Sequence, residues 1–304
     1  MAFFEKALRA KVMSTTISIR ANVSKKLLLE AYKIATDFEE RYSAYKKDSH
    51  LSKINKLASK EKVKCTQEDI VLFSTCREAS LLSDGEFDIS MGALSHGAYH
   101  FGFSNKQMPT QEELQKQKEL VDFKSIILGN EYIFLNKEGM RLDLGGIGKG
   151  YVAKLIAKFL KDSGASRALI DVGGEIVSFG KSYTIAIKNP FNDENIAYIK
   201  TSKEAISIST SGDYERFIDT PQNSHILNKE SARSQNYYSS MSVIQNGFEI
   251  DMLDAFATAM FNRDISYVRE FSKKNNLATV IVDKDSNIIF NNIRDLKLAS
   301  IELV

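Results

Sequence analysis

The chain has 304 residues, with 41 Lys or Arg and 39 Asp or Glu, so its formal net charge at pH 7 is only +2. This near balance argues against a strongly basic nucleic-acid surface and a polybasic membrane anchor, and no apolar tract is long enough for a transmembrane helix. We therefore expect a soluble globular protein, as one large domain or two closely packed lobes, whose partners are small molecules or proteins.

Cysteine content and the N-terminus give little further information on class. Cys65 and Cys76 are the only cysteines, which is too few for a disulfide framework, and they lack the paired spacing of a zinc site. The first 20 residues lack the apolar core and the small-residue cleavage site of a secretory signal. The sequence alone thus favours a cytoplasmic location, unless a leader has been removed.

In the first half of the chain, alternating and helical patterns predict a few elements separated by polar stretches. Residues 14–20 alternate as a strand does, and residues 27–38 carry apolar side chains at helical spacing. A second helix is predicted from Gln67 to the sequence SDGEFD. Residues 105–118 are polar and indicate a surface excursion, in which Thr110 could cap a short helix.

The second half combines strands and helices without a regular βα alternation. A strand meander is predicted from Ser125, followed by a helix that begins near Tyr151 and stops at Gly164. The further elements are strands at 168–172, 183–188, 197–201 and 205–210, helices at about 249–262 and 265–275, and a hairpin at 278–292. This order predicts an α+β fold with mixed or antiparallel strands rather than a doubly wound sheet.

The stretch RLDLGGIGKGYVAK resembles a phosphate-binding loop but matches neither common template. A Walker A loop would need Gly at Asp143 and Ser or Thr at Gly150, while a dinucleotide fingerprint would need a small residue at Tyr151. The glycines still allow close backbone approach, the helix N-terminus carries partial positive charge, and Lys149 adds a cation. The alternative is an ordinary helix start with a solvated lysine.

The helix predicted at 249–262 carries acids beside its apolar stripe, which consists of Leu253, Phe256, Ala257 and Met260. Asp254 and Thr258 are four residues apart on an adjoining face, so a carboxylate and a hydroxyl could meet one cation. Asp251 lies on the same face, and periodicity cannot choose between the two carboxylates. By contrast, His96 and His100 lack a third ligand and a helical pattern, so we interpret them as spectators.

Eight short motifs occur in order along the chain: STTISI, SAYKKDSHLSKIN, SDGEFDISMGAL followed by FGF, LDLGGIGKGYVAK, DVGGEIVSFG, STSGDYERF, SHIL and DAFATAMF. Together they resemble the ApbE family of FAD:protein FMN transferases along nearly the whole length. The chain departs from the family pattern at Ser14, where Gly is usual, in the segment NKESARSQNYY after the SHIL motif, and in having no tryptophan.

The resemblance implies one transferase domain over residues 1–304, with two closely packed lobes around an FAD cleft. The implied reaction moves FMN from FAD to a Ser or Thr hydroxyl of an acceptor protein and releases AMP, with Mg²⁺ as cofactor. The alternatives are an Mg²⁺-dependent FAD diphosphatase, which yields FMN and AMP, and a flavin-binding protein without activity. Incubating the protein with FAD and Mg²⁺, with and without an acceptor protein, would distinguish transfer, hydrolysis and simple binding.

The resemblance also assigns roles to individual residues. For catalysis it implies His225 as acid/base and Lys149 at the pyrophosphate, with Asp213 as the next candidate. For the metal it chooses Asp254 and Thr258, with the backbone carbonyl of Gly146. The positions implied to bind FAD are Met13, Tyr45, Ser49, Asp88, Ala93, Leu94, Lys149, Gly173, Gly174, Glu175, Ser211, Gly212 and His225. For His225, the alternative is a polar surface histidine beside a strand.

Overall fold

The computed structural model describes residues 4–296 and 298–304. Its strands are β1 (Lys6–Val12), β2 (Thr15–Ala21), β3 (Val63–Lys64), β4 (Ile126–Leu128), β5 (Tyr132–Leu135), β6 (Ala168–Val172), β7 (Glu175–Phe179), β8 (Thr184–Lys188), β9 (Asn195–Thr201), β10 (Ile206–Gly212), β11 (Phe217–Ile218), β12 (Thr220–Ser224), β13 (Tyr238–Asn246), β14 (Ala278–Asp283), β15 (Ile288–Asn291) and β16 (Leu298–Leu303). Its helices are α1 (Lys25–Tyr42), α2 (His50–Lys56), α3 (Gln67–Leu82), α4 (Gly92–Ser95), α5 (Gln111–Lys118), α6 (Gly148–Asp162), α7 (Ile250–Phe261) and α8 (Ile265–Lys274).

The main sheet has eight strands in the order β1-β2-β6-β7-β10-β13-β14-β15, and neighbouring strands are antiparallel throughout. Helices α6 and α7 pack against each other and against this sheet. Smaller sheets, β16-β9-β8 and β3-β5-β4, and the ribbon β11-β12 lie outside it. The α+β class with antiparallel strands is thus confirmed.

Helix α7 is buried almost all round, because it lies between the sheet and the other helices. Ten of its twelve residues are buried, including Asp251 and Asp254. An acid is rarely fully buried unless it is paired or bound to a metal. These two carboxylates therefore need a partner in the interior.

Most predicted elements are present with small changes at their ends. Strand β6 has the predicted bounds, and Thr110 caps α5 in a reciprocal capping box with Glu113. The sequence did not predict β1, α2 or β13. Within the described residues, no helix is long and apolar enough to cross a membrane.

Candidate functional site

The glycine-rich loop leads into α6, which begins at Gly148, slightly before the predicted start near Tyr151. The residue before the helix, Ile147, offers no side-chain cap. Instead, the N–H of Gly150 donates to Asp254 Oδ2 of α7 over 2.9 Å. The first N–H groups of a helix need an acceptor from outside, and a carboxylate there interacts favourably with the helix dipole. Asp254 therefore caps α6 across the helix pair.

Helices α6 and α7 come into direct backbone contact at Gly150. A Cβ atom on Gly150 would lie 2.5 Å from the carbonyl oxygen of Ile250 and 2.8 Å from Cβ of Asp254. Such distances are shorter than any normal contact, so only glycine allows this approach. The small residue thus sets the position of Asp254 relative to the loop.

A group of oxygen atoms surrounds the point where the loop meets α7. A Cβ atom on Gly146 would lie 2.9 Å from Thr258 Oγ1, which places the loop backbone beside that hydroxyl. Thr258 donates to the carbonyl oxygen of Asp254 over 3.2 Å. Burial raises the pKa of Asp254, whereas the charge of Lys149 opposes that shift. The structure thus brings Gly146, Asp254 and Thr258 together.

These groups fit a hard divalent cation such as Mg²⁺, which prefers carboxylate, hydroxyl and carbonyl oxygen ligands. Asp251, the alternative carboxylate, is already paired, because Lys154 Nζ lies 3.1 Å from both of its oxygens. Asp254 accepts only the Gly150 hydrogen bond among the described contacts. The geometry therefore favours Asp254 over Asp251 as the residue that could hold a metal.

Lys149 forms a buried ion pair with Glu175 at the start of β7. Its Nζ lies 2.5 Å from Glu175 Oε1, and the Glu175 side chain is only 1% exposed. The other oxygen, Oε2, has no hydrogen-bond partner within the described residues, and the nearby Ser209 hydroxyl also lacks one in good geometry. A buried carboxylate oxygen without a partner is costly, so it marks a place for a cation or a donor.

Lys149 is one cation between two acids, Glu175 and Asp254. Burial raises the pKa of Glu175 to about 8, and the negative charge of Asp254 adds to the shift while Lys149 opposes it. Burial would lower the pKa of Lys149, but Asp254 and Glu175 together hold it above its ordinary value. When both acids are ionised, a negative charge remains uncompensated, and a bound cation would compensate it.

Asp143, at the entrance of the loop, joins it to helix α4. Its Oδ2 accepts from the Ser95 hydroxyl over 2.8 Å and lies 3.3 Å from His96 Nε2, while its Oδ1 accepts from the N–H of Gly145 over 2.8 Å. Burial would raise the pKa of Asp143, but the His96 ring and the N–H of Gly145 hold it below its ordinary value.

The sequence did not predict the contact between Asp143 and His96. Asp143 counted there only as a mismatch to Walker A, and His96 was interpreted as a spectator. For Asp143, the only available signal was the position of an acid two residues before Gly145. His96 lies 47 residues before Asp143 (143 − 96), so no local pattern could have revealed their contact.

His225 is fixed by a backbone carbonyl in a way that defines its tautomer. Its ring Nδ1 lies 3.1 Å from the carbonyl oxygen of Arg216, which also accepts the backbone N–H of His225 over 3.0 Å. A carbonyl oxygen can only accept, so Nδ1 carries the hydrogen and Nε2 keeps its lone pair. Burial lowers the pKa of His225 to about 4, and the positive charge of Arg216 acts in the same direction. The imidazole is therefore a neutral base at physiological pH.

Met13 and Tyr45 lie near the glycine-rich loop and its Asp143–His96 contact. Met13 Cε is 3.7 Å from where a Cβ on Gly148 would be, so the side chain covers the loop. The Tyr45 ring packs against His96 and Phe103, with centroids 5.3 and 5.1 Å away. Met13 thus lies against the start of α6, and Tyr45 packs beside His96, which contacts Asp143.

The two glycines of the DVGGEIVSFG motif form a turn that positions the Glu175 side chain. Gly173 and Gly174, with φ of 61° and 95°, form the turn between β6 and β7 that precedes Glu175. A Cβ on Gly173 would lie 2.2 Å from Thr15 Oγ1, so the site excludes any larger residue. The turn therefore determines where Glu175 enters β7.

Ser211, Gly212 and Asp213 lie at the end of β10 and in the turn that follows it. Asp213 is buried and forms an ion pair with Lys284 of the β14–β15 hairpin. Burial raises the pKa of Asp213 and the Lys284 contact opposes the shift. Within the described part of the chain no contact joins Asp213 to His225, and the Lys284 pair anchors the turn. The role of Asp213 as the next catalytic candidate stays a prediction.

Four other predicted positions use their side chains for folding. Ser49 caps α2, and Asp88 accepts from both the N–H and the hydroxyl of Ser90. Ala93 and Leu94 are fully buried in α4. Since the Ala93 and Leu94 side chains are buried, any ligand contact at these two positions would use the backbone.

The SDGEFD segment reaches the loop through an aromatic ring. Phe87 Cε2 lies 3.4 Å from where a Cβ on Gly146 would be. From the other side, Glu215, which follows the SGDY turn, is close enough for its charge to affect the pKa of Lys149. Phe87 and Glu215 thus bring the SDGEFD segment and the SGDY turn near the Lys149 loop. The cavity of about 520 Å³ that Asp84 and Asp88 line contains, among the described residues, none from that loop or turn.

One other group of ligand-type side chains lies apart from this site. His50, Cys65 and Asp69 place their ligand atoms within 4.8 Å of one another. Asp69, however, already accepts hydrogen bonds from Arg41 and Tyr42 through both of its oxygens. Burial raises the pKa of the Cys65 thiol to about 11, so a thiolate is disfavoured. This cluster is a structural network.

Comparisons with known proteins identify the family. A sequence model described as the ApbE family matches residues 13–281. A Klebsiella pneumoniae protein named FAD:protein FMN transferase is 25% identical over 284 residues, which cover 91% of this chain and 88% of the relative. The Escherichia coli K12 protein of the same name is 25% identical over 264 residues, or 82% and 74% of the two chains.

Solved structures agree on the fold. The ApbE protein from Thermotoga maritima superposes with a TM-score of 0.87 at 24% identity, covering 98% of this chain and 100% of that one. The flavin transferase ApbE from Vibrio cholerae gives a TM-score of 0.82 at 21% identity, covering 96% and 98%. With a family match over most of its length and the fold of these proteins, the chain belongs to the ApbE family.

Proposed function

We propose that this protein is an FAD:protein FMN transferase that moves FMN from FAD to a Ser or Thr hydroxyl of an acceptor protein and releases AMP. The observation that carries the proposal is the convergence of Lys149, Glu175 and Asp254 on the glycine-rich loop. The names of the curated relatives support it. We further propose that the whole chain forms one transferase domain.

The reaction requires a base, stabilisation of phosphate charge, and departure of AMP. The acceptor hydroxyl attacks the phosphorus on the FMN side of the pyrophosphate, its proton passes to His225 Nε2, and the P–O–P bond breaks so that AMP leaves. The free lone pair on Nε2 suits this role, because Nδ1–H is held by the carbonyl of Arg216.

Lys149 and the amides of the loop would face the pyrophosphate. Preorganised donors of this kind stabilise charge that develops in the transition state. Gly146, Asp254 and Thr258 would hold Mg²⁺, which when bound would neutralise charge on the phosphate oxygens. Glu175 holds Lys149 in position through their ion pair.

Two alternatives use the same residues. With water in place of the acceptor hydroxyl, the protein would hydrolyse FAD to FMN and AMP; without turnover it would be a flavin-binding protein. The test incubates the protein with FAD and Mg²⁺, with and without a protein that presents a Ser/Thr flavinylation site. Transfer gives a covalently flavinylated acceptor and AMP, hydrolysis gives free FMN and AMP without acceptor, and simple binding leaves FAD unchanged.

A second measurement distinguishes a role of His225 as the base from a role in FAD binding. His225→Ala should lower the transfer rate by about 10²- to 10⁴-fold, the usual contribution of a general base. Its affinity for FAD should remain close to that of the wild type, because a proton acceptor acts mainly in the transition state. Equal rates at saturating FAD and acceptor would remove His225 from the mechanism.

A further inference from the structure

The proposed pyrophosphate site contains more acids than cations. Asp143, Glu175 and Asp254 lie around the loop. Lys149 pairs with Glu175, and its charge interacts with that of Asp254, whereas Asp143 contacts His96. The pyrophosphate of FAD adds two further negative charges. Even with Glu175 protonated and a divalent cation bound, the negative charges of Asp143, Asp254 and the pyrophosphate exceed the positive charges of Lys149 and the metal, so binding of FAD calls for another positive group at the site.

Arg216 is in a position to supply it. It lies between the SGDY turn and β11, and its backbone carbonyl accepts two hydrogen bonds from His225, one from N–H and one from ring Nδ1–H. Its side chain is exposed. In the described part of the chain its guanidinium forms no ion pair within 4.0 Å, although its charge acts on Tyr45, Asp143 and His225.

The two hydrogen bonds from His225 to the Arg216 carbonyl place Arg216 beside the proposed base. Its guanidinium reaches the Tyr45 hydroxyl, and its charge also acts on Asp143, which opens the glycine-rich loop. Arg offers a planar fork of N–H donors that matches phosphate oxygens, and it is always charged. Apart from the contact with Tyr45, its donors have no carboxylate partner in the described part of the chain and could bind a ligand.

We propose that Arg216 is a further catalytic residue, whose guanidinium binds the pyrophosphate oxygens of FAD while its carbonyl holds the His225 ring. This inference rests on the proposed function, since it assumes that FAD is the substrate. It assigns one residue to both tasks: the side chain binds the phosphate, and the backbone orients the base. Binding of the phosphate would thereby fix the distance between the base and the reacting phosphorus.

The test measures binding without acceptor or turnover. FAD and riboflavin, which lacks phosphate, are titrated by flavin fluorescence against wild type, Arg216→Gln and Arg216→Lys. The control is Arg269→Gln, because Arg269 is exposed on α8 away from the site. We expect Arg216→Gln to weaken FAD binding by about 10- to 100-fold, as for loss of a charge-assisted hydrogen bond. Riboflavin affinity should stay unchanged, and Arg216→Lys should restore part of the FAD affinity.

The outcomes separate this inference from the proposed function. If wild type binds FAD and Arg216→Gln binds it equally well, Arg216 does not contact the pyrophosphate. An equal loss of FAD and riboflavin affinity would show a structural effect and would also overturn the inference. If wild type itself binds no FAD, it is the proposed function that fails. A selective loss for FAD, with Arg269→Gln unaffected, supports the assignment.

Discussion

The backbone N–H of Gly150 donates to the carboxylate of Asp254 over 2.9 Å, and this bond joins α6 to α7 at the point where a metal could bind. Asn can still accept that hydrogen bond but brings no charge. We therefore expect Asp254→Asn to keep a native far-UV circular dichroism spectrum and to abolish or greatly slow Mg²⁺-dependent transfer, measured as flavinylated acceptor.

Asp251→Asn is the matched control, because Asp251 lies one turn earlier on α7 and pairs with Lys154. It should have a mild effect on activity and on the Mg²⁺ requirement. If Asp254→Asn retained full activity with the same Mg²⁺ requirement, the metal would lie elsewhere, and Asp251 would be the first residue to examine.

The pH dependence of transfer should reflect the low pKa of His225, about 4. A base acts in its neutral form, so activity should be lost only as the pH falls through that pKa, well below the ordinary imidazole value of about 6.5. The measurement is kcat/KM between pH 4 and 8, with the folded state checked at each pH. An acidic limb centred near pH 6.5 would show that His225 is not shifted or is not the base.

Glu175 should make the protein without metal or FAD less stable as the pH rises. Its pKa is about 8 in the folded protein and near 4.3 in an unfolded chain. Between these values the folded state holds a proton that the unfolded state has released, so the free energy of unfolding falls as pH increases. The stabilising contribution is complete below about pH 4 and is lost as the pH passes through about 8.

Glu175→Gln removes this titration, and urea unfolding at pH 5, 6, 7 and 8 measures it. We expect the variant to lose the part of the pH slope that Glu175 causes. Exposed Glu61→Gln serves as control and should leave the slope intact. Identical slopes for wild type and Glu175→Gln would contradict the raised pKa.

Gly150→Ala tests the close approach of the two helices. The added Cβ would clash with the Ile250 carbonyl and with Asp254, and overpacking of this kind costs about 1–3 kcal/mol. Higher helix propensity offsets at most about 1 kcal/mol. We expect a lower free energy of unfolding and weaker Mg²⁺ binding, whereas Lys158→Ala on the exposed face of α6 should change neither by much. A variant with native stability and Mg²⁺ affinity would refute the tight packing.

The elements that the sequence predicted are mostly those with one apolar face and one polar face. Residues 14–20 alternate, and β2 follows them closely. Strand β1 went unrecognised because, although Leu8, Ala10 and Val12 alternate and pack against the core, only Val12 is fully buried and the alternation is short. Strand β13 was missed for the opposite reason: it is buried on both faces, and its Ser239, Ser240 and Ser242 read as loop residues.

The site was predictable only where motif and chain order were enough. The family was inferred from the motifs and the α+β fold from the order of the predicted elements, and both are confirmed. The roles of Lys149, Asp254 and His225 remain predictions, although the structure places each beside suitable partners. The contact of His96 with Asp143 and the position of Arg216 could not be predicted, because both depend on how distant segments pack together.

The hydrogen bond between Gly150 and Asp254 also bears on how the chain folds, since it links positions 104 residues apart. Contacts between distant segments require costly loop closure and slow the folding of a domain. The proposed Mg²⁺ site needs the glycine-rich loop and α7 together, so it would be absent from an incompletely folded chain, and the metal could not guide the early steps. Bound metal would stabilise only the completed fold, by mass action. Binding of Mg²⁺ would therefore come after folding. The metal-bound protein would resist proteolysis and unfolding more than the newly made, metal-free protein does.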